Sequence, residues 1–201
     1  MAINKLTVLC LLLMISAIGL NFQCKKKIGC ADTIYNFELG VKGFPDLDSV
    51  NIGDSIWFEI NSPTQFKDIN GQLVEYNNAG NLGSSISFYA LSNLGQFTVK
   101  SVNKFNYSLI EGVQKRITDD IIEYTFSEKN GAYQFKLALI AKEKGIYSII
   151  FSNAANVYRI NDKCTKANFI INFKNTNQHY YLNPNFTGGT PVGGDYYFKV
   201  K

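Results

Sequence analysis

The stretch Ile121–Asn153, IIEYTFSEKNGAYQFKLALIAKEKGIYSIIFSN, decides the fold class. Tyr124 and Phe126 alternate with Glu123 and Thr125, and Tyr133, Phe135, Leu137 and Leu139 alternate with Gln134, Lys136 and Ala138. Side chains on a strand point in turn to its two faces, so a period of two marks strands with one apolar face. Asn130-Gly131 lies between two such runs, and both residue types accept the positive φ that a type I′ hairpin turn requires. Lys144-Gly145 supplies a second turn. The stretch therefore reads as a three-strand antiparallel meander over Ile121–Phe151.

The same pattern extends upstream and downstream. Thr33–Leu39 alternates, and GFPDLD makes a turn. SVNIGDSIWFEINSP follows, with Ile56, Phe58 and Ile60 on one face, Trp57 on the other, and Pro63 as the stop. NGQLVEYNN, Phe105–Ile110, Ala167–Phe173 and Asp195–Val200 read as further strands. Ser85–Leu94, SISFYALSNL, is expected to be a short helix in the middle of the chain. Leu182–Asp195 is a Gly/Pro-rich loop of a length often tied to function.

Composition agrees with a mainly β protein. The chain has 201 residues, 46% of them apolar, which suffices for a sizeable core in one domain. It holds 15 Phe and 12 Tyr, residues that pack well on a pleated surface, but a single His. The expected architecture is an elaborated antiparallel β-sandwich. A formal charge of +4, scattered along the chain, argues against a nucleic-acid partner.

The N-terminus reads as an export signal. Lys5 precedes an apolar run from Leu6 to about Leu20, which suits a signal-peptide core and is shorter than the roughly 20 residues of a membrane span. Two cleavage readings compete. Ala17-Ile18-Gly19 has the small-residue spacing of an ordinary signal peptidase site. The alternative is cleavage before Cys24, because NFQCKKK resembles a bacterial lipoprotein signal in which that Cys carries the lipid. Gln23 departs from the small residue that such signals place before the Cys. Cysteine count favours the second reading: with Cys10 removed and Cys24 lipidated, Cys30 and Cys164 remain as an even pair for a disulfide in an oxidising compartment. Lys25, Lys26 and Lys27 then suit a tether beside anionic headgroups. The expected layout is a signal peptide over 1–23, a tether over 24–31 anchored to the membrane through Cys24, and one domain over 32–201.

SVNIGDSIWFEI and KGIYSIIFSNAAN resemble strands of bacterial immunoglobulin-like domains, the first through its Gly-Asp turn and the second through Gly-x-Tyr. From QCKKK through KCTKANFIINF to GGDYYFKV, the chain looks like a family of exported Bacteroidota lipoproteins. That resemblance implies an envelope location and no particular activity. Asp32-Thr33-Ile34, Asp48-Ser49-Val50 and Asp54-Ser55-Ile56 also resemble the sites such organisms use for O-glycosylation.

Little in the sequence points to catalysis. A Ser-His-Asp site would depend on His179, which reads instead as a surface or strand-end aromatic, and no Gly-x-Ser-x-Gly occurs. No phosphate-binding motif is present, so no cofactor is expected. His and Cys are too few for a zinc site. Carboxylates at Asp46, Asp48, Asp119, Asp120 and Glu123 leave a hydrolase or a calcium loop as alternatives, although acids in turns ordinarily form the turn. Aromatic surfaces are the stronger pointer. Trp57, Tyr180, Tyr181, Tyr196 and Tyr197 are the candidate ligand-binding residues, since sugars stack on flat rings beside short polar groups. The expected function is a non-catalytic module that binds a glycan or an envelope protein, the alternative being a structural or assembly lipoprotein without a small ligand.

Overall fold

The computed structural model describes residues 33–188 and 193–201. In chain order the strands are β1 (Thr33–Phe44), β2 (Ser49–Val50), β3 (Ser55–Pro63), β4 (Gln65–Lys67), β5 (Leu73–Glu75), β6 (Gly83–Leu91), β7 (Phe97–Lys100) and β8 (Phe105–Glu111). They continue with β9 (Val113–Ile117), β10 (Ile121–Thr125), β11 (Ser127–Lys129), β12 (Ala132–Ala141), β13 (Gly145–Phe151), β14 (Ala154–Arg159), β15 (Asp162–Phe173) and β16 (Asp195–Val200). Two single 3-10 turns, Val102–Lys104 and Tyr180–Leu182, complete the secondary structure of the described residues.

The strands form a mainly β sandwich of two seven-stranded sheets. The first runs β11-β12-β3-β1-β15-β14 with β8 beside β12, and the second β2-β16-β13-β6-β10-β9 with β7 beside β6. A small hairpin, β4-β5, stands apart. Most pairings are antiparallel, but β1 runs parallel to β15 from Thr33↔Thr165 to Val41↔Phe173, and β2 runs parallel to β16.

Alternation explains what each sheet buries. Phe37, Leu39 and Val41 of β1, Ile56, Phe58 and Ile60 of β3, and Phe135, Leu137 and Leu139 of β12 point inward. They meet Ile86 and Phe88 of β6, Ile149 and Phe151 of β13, and Phe198 of β16 in one continuous core. Many rings meet edge to face within it, as ring quadrupoles favour: Phe58 and Tyr196 lie 5.4 Å apart at 83°, while others, such as Phe37 and Phe66, stack.

Two expectations are corrected. Ser85–Leu94 is no helix: Gly83–Leu91 is strand β6, with Ser84, Ile86 and Phe88 inward. The helix-favouring Ala90 and Leu91 yield to the period of two in the preceding residues, and Ser84 is buried at low cost because its hydroxyl donates to the Ser152 carbonyl at 2.8 Å. The three-strand meander over Ile121–Phe151 also fails. Asn130-Gly131 does close a hairpin, but between β11 and β12, while β10 and β13 both belong to the opposite sheet. Alternation fixes which face is apolar and leaves the partner open. Here Phe135 of β12 contacts Tyr124 of β10 at 5.2 Å and Phe151 of β13 at 6.4 Å, across the sandwich instead of within one sheet.

Candidate functional site

The edge strand β14 is crossed by the segment Glu75–Leu82, which leaves β5 and runs to β6. Gly80 N–H donates to the Tyr158 carbonyl and Ile160 N–H to the Asn78 carbonyl, each at 2.8 Å. Three asparagines let the chain turn here: Asn78, Asn81 and Asn156 have φ of 53°, 60° and 53°, a left-handed region that Asn tolerates better than other side chains. Between the segment and β14 lies a cleft of about 700 Å³ lined by Gly80, Asn81, Asn156, Tyr158, Arg159 and Ile160. A second cleft of about 360 Å³ shares Asn81 and continues past Ser84, Ser85, Lys115, Glu123 and Asn153.

Buried tyrosines hold the walls. Tyr76 is fully buried, and its hydroxyl donates to the Val157 carbonyl at 2.6 Å. The Tyr133 hydroxyl donates to the Tyr76 carbonyl at 2.5 Å and accepts from Ala79 N–H at 3.3 Å. Asn78 N–H donates to the Glu128 carboxylate at 2.8 Å. Burial pushes the Tyr76 hydroxyl up to about 12, so it stays protonated as a donor. The Arg159 guanidinium lies over the Tyr76 ring, 4.8 Å from its centroid, and its Nη2 donates to the Glu75 carbonyl. On the outer face, Asn168 links Asn156 to Asn36: its Oδ1 accepts from Asn156 N–H and its Nδ2 donates to Asn36 Oδ1, both at 3.0 Å.

The cleft presents two exposed asparagines, a ring at Tyr158 that is 38% exposed, an apolar surface at Ile160 and one fixed cation. Among the described residues, its lining carries no carboxylate and no nucleophile paired with a base. Such a surface suits a hydroxyl-bearing ligand held by amide hydrogen bonds and ring contact.

The residues expected to bind ligand lie elsewhere and do not converge. Tyr196 and Tyr197 are buried on β16, so their rings present no open face. Tyr180 is half-buried between Phe186 at 5.3 Å and Tyr197 at 5.4 Å. Tyr181 is exposed, and its hydroxyl donates to the Asp48 carboxylate at 2.7 Å. Trp57 lies on the outer face of β3, stacked with Phe44 at 6.2 Å and 6°, with the Lys136 ammonium 5.6 Å from its centroid. Cys164 precedes Thr165 in β15, whereas Cys24 and Cys30 fall outside the described residues.

His179 is a correction. It is buried, not a surface aromatic, with Nε2 3.6 Å from Asp46 Oδ1 and its ring edge-on to Tyr181 and Tyr196. Both ring nitrogens lack a hydrogen-bond partner, and burial lowers its pKa against the opposing pull of Asp46 and Asp48. The flagged carboxylates serve local structure. Asp46 accepts from Asn177 N–H at 3.1 Å, Asp120 accepts from the Thr118 hydroxyl at 3.1 Å, and Glu123 lies 4.0 Å from Arg116. Among the described residues, no group of three or more His, Cys, Asp or Glu is placed to hold a metal ion.

Sequence reasoning passed over Asn81, Asn156, Tyr158 and Arg159. The signal available was the density of asparagines outside turns of the usual Asn-Gly type, in YNNAGN and NAANVYR.

No protein-family model matches the chain, and no curated protein does. Among solved structures, the chain is similar to a non-cellulosomal cohesin from the hyperthermophilic archaeon Archaeoglobus fulgidus, with a TM-score of 0.34 and 10% identity over 84% of this chain and 92% of that one. It is also similar to a type II cohesin domain from the cellulosome of Acetivibrio cellulolyticus, with a TM-score of 0.29 and 8% identity over 67% of this chain and 92% of that one. Both similarities are distant.

Proposed function

We propose that this chain is a non-catalytic envelope module, anchored through a lipid on Cys24, that binds a glycan in the cleft beside β14. The lining carries the reading: amides at Asn81 and Asn156, a ring at Tyr158 and an apolar contact at Ile160 surround a volume within the usual range for small-ligand sites. A glycan array probed with the mature domain tests it. Asn156→Gly, which removes the amide while accepting the left-handed backbone, is expected to weaken the strongest signals about tenfold, the scale of one or two neutral hydrogen bonds. Unchanged binding by Asn156→Gly and Tyr158→Ala together would place the glycan elsewhere.

The anchor is supported by the apolar run before Cys24 and the lysines after it. Mass spectrometry of the mature protein, with a lipid on Cys24 and no residue before it, is the expected result; a chain starting near Leu20 would reject it. A Cys30–Cys164 disulfide is supported by register, since Thr33 pairs with Thr165 and each cysteine lies within three residues of that pair. Thiol counting on the unreduced protein tests it.

A second reading, a protein partner docked along a strand edge, is favoured by β8 and β9. These consecutive strands lie at the rims of the two sheets, and Ile110, Val113 and Ile117 are more than half exposed there. Exposed edges of this kind accept an added strand. Val113→Lys with Ile117→Lys would abolish cross-linking to that partner while leaving glycan binding intact.

A further inference from the structure

Resting on the reading of the β14 cleft as the ligand site, we propose that its ligand carries a carboxylate on a hydroxyl-rich ring, as in the uronic acid units of an acidic polysaccharide, and that Arg159 receives that carboxylate.

Among the described residues that line the larger cleft, Arg159 is the one that carries a charge. Guanidinium stays protonated throughout the physiological range, so its charge is permanent. Two contacts hold it in place, the Tyr76 ring beneath it and the Glu75 carbonyl on Nη2. Neither neutralises it. Among the described residues no carboxylate lies within ion-pair distance, although the Asp162 charge interacts with the guanidinium from farther away, and Nε–H is buried without an acceptor.

The nearby acid, Asp162, has its acceptor sites engaged by neutral donors. Asp162 Oδ1 accepts from Cys164 N–H at 2.9 Å and Thr165 N–H at 3.3 Å, and Oδ2 accepts from the Thr165 hydroxyl at 2.5 Å. Those bonds cap the turn between β14 and β15. A guanidinium held in place, with Nη donors to spare and no ion-pair partner, is preorganised for a planar carboxylate, which Arg binds through two parallel hydrogen bonds.

The rest of the lining selects a sugar over a bare anion. Asn81 and Asn156 offer amides beside Arg159, and Tyr158 and Ile160 offer apolar surface suited to the CH face of a pyranose ring. An acidic peptide would meet the same cation but would not need that face.

The test is calorimetric titration of the mature domain with oligogalacturonate, neutral oligogalactose and oligoglutamate of matched length, at two ionic strengths. Oligogalacturonate is expected to bind about 10- to 100-fold more tightly than oligogalactose, with affinity falling as salt rises. Arg159→Gln is expected to remove that preference, and an unaltered thermal midpoint establishes that this variant folds. Equal binding of the acidic and neutral sugars overturns the role of Arg159 and leaves the cleft as a glycan site. Oligoglutamate binding as tightly as oligogalacturonate overturns the sugar assignment. No binding by any of the three overturns both the acidic ligand and the glycan reading.

Discussion

His179 Nε2 lies 3.6 Å from Asp46 Oδ1, within a pocket of rings that leaves both imidazole nitrogens without a hydrogen bond. Burial favours the neutral imidazole, and Asp46 and Asp48 only partly oppose it. The folded state therefore releases its proton more readily than the unfolded chain. Stability from this group is full above the ordinary histidine value of 6.5 and is lost as pH falls below it. Urea midpoints measured at pH 7.5 and pH 5 are expected to fall on acidification, and His179→Phe is expected to flatten that slope. An equal slope in the variant would assign the acid sensitivity to other groups.

Alkaline pH acts on the tyrosines in the opposite sense. Burial pushes Tyr76 and Tyr180 up to about 12, and raises Tyr124, Tyr133 and Tyr196 further. These groups hold protons in the folded state that the unfolded chain gives up near pH 10. Their contribution is complete below pH 10 and is lost as pH rises through their folded values. Absorbance at 295 nm is expected to show the buried tyrosines ionising together with the loss of near-UV circular dichroism, later than the exposed Tyr181.

Removing one hydroxyl tests the wall of the cleft. Tyr76→Phe keeps the ring beneath Arg159 but deprives the Val157 carbonyl of its donor at 2.6 Å. A buried acceptor left unpaired costs about 1–3 kcal/mol. Urea unfolding is expected to show that loss, with the slope of the transition unchanged.

Gly83 has no room for a side chain. A Cβ there would lie 1.9 Å from the Tyr124 carbonyl oxygen and 2.8 Å from Thr125 Cα, both backbone atoms of the neighbouring strand β10. Gly83→Ala must therefore push β6 and β10 apart, at a cost of at least about 1–3 kcal/mol. Gly131→Ala is the comparison at a surface turn: open space surrounds its Cβ position, and its φ of 70° is the source of strain.

Phe135 joins the two sheets through contacts with Tyr124 at 5.2 Å, Phe126 at 5.4 Å and Phe151 at 6.4 Å. Phe135→Ala is expected to destabilise the fold by about 3–5 kcal/mol, the range for truncating a fully buried ring. Phe135→Leu, which keeps most of the volume, is expected to lose distinctly less by the same urea measurement.

Several strands were legible in the residues, although β6, β7, β9 and β14 were not. The faces of β1, β3 and β12 follow from Phe37/Leu39/Val41, Ile56/Phe58/Ile60 and Tyr133/Phe135/Leu137/Leu139. Asn130-Gly131 marked a true hairpin, and Asp195–Val200 was found to the residue. These are local properties: periodicity and turn chemistry act within a few residues.

Pairing was not legible, because alternation is the same whichever sheet a strand joins. Only the tertiary structure sends β12 to one sheet and β10 and β13 to the other, lays β1 parallel to β15, and carries the chain across the sandwich at Gly112, whose φ of 112° few other residues accept. The same holds for the site. Asn81, Asn156 and Arg159 are separated by up to 78 positions, and none is unusual by itself. The sequence by itself determined a β protein with alternating, aromatic-rich strands. The tertiary structure decided that Tyr196 and Tyr197 would be core and that Arg159 would stand in a cleft, because burial and charge environment depend on neighbours brought together from across the chain.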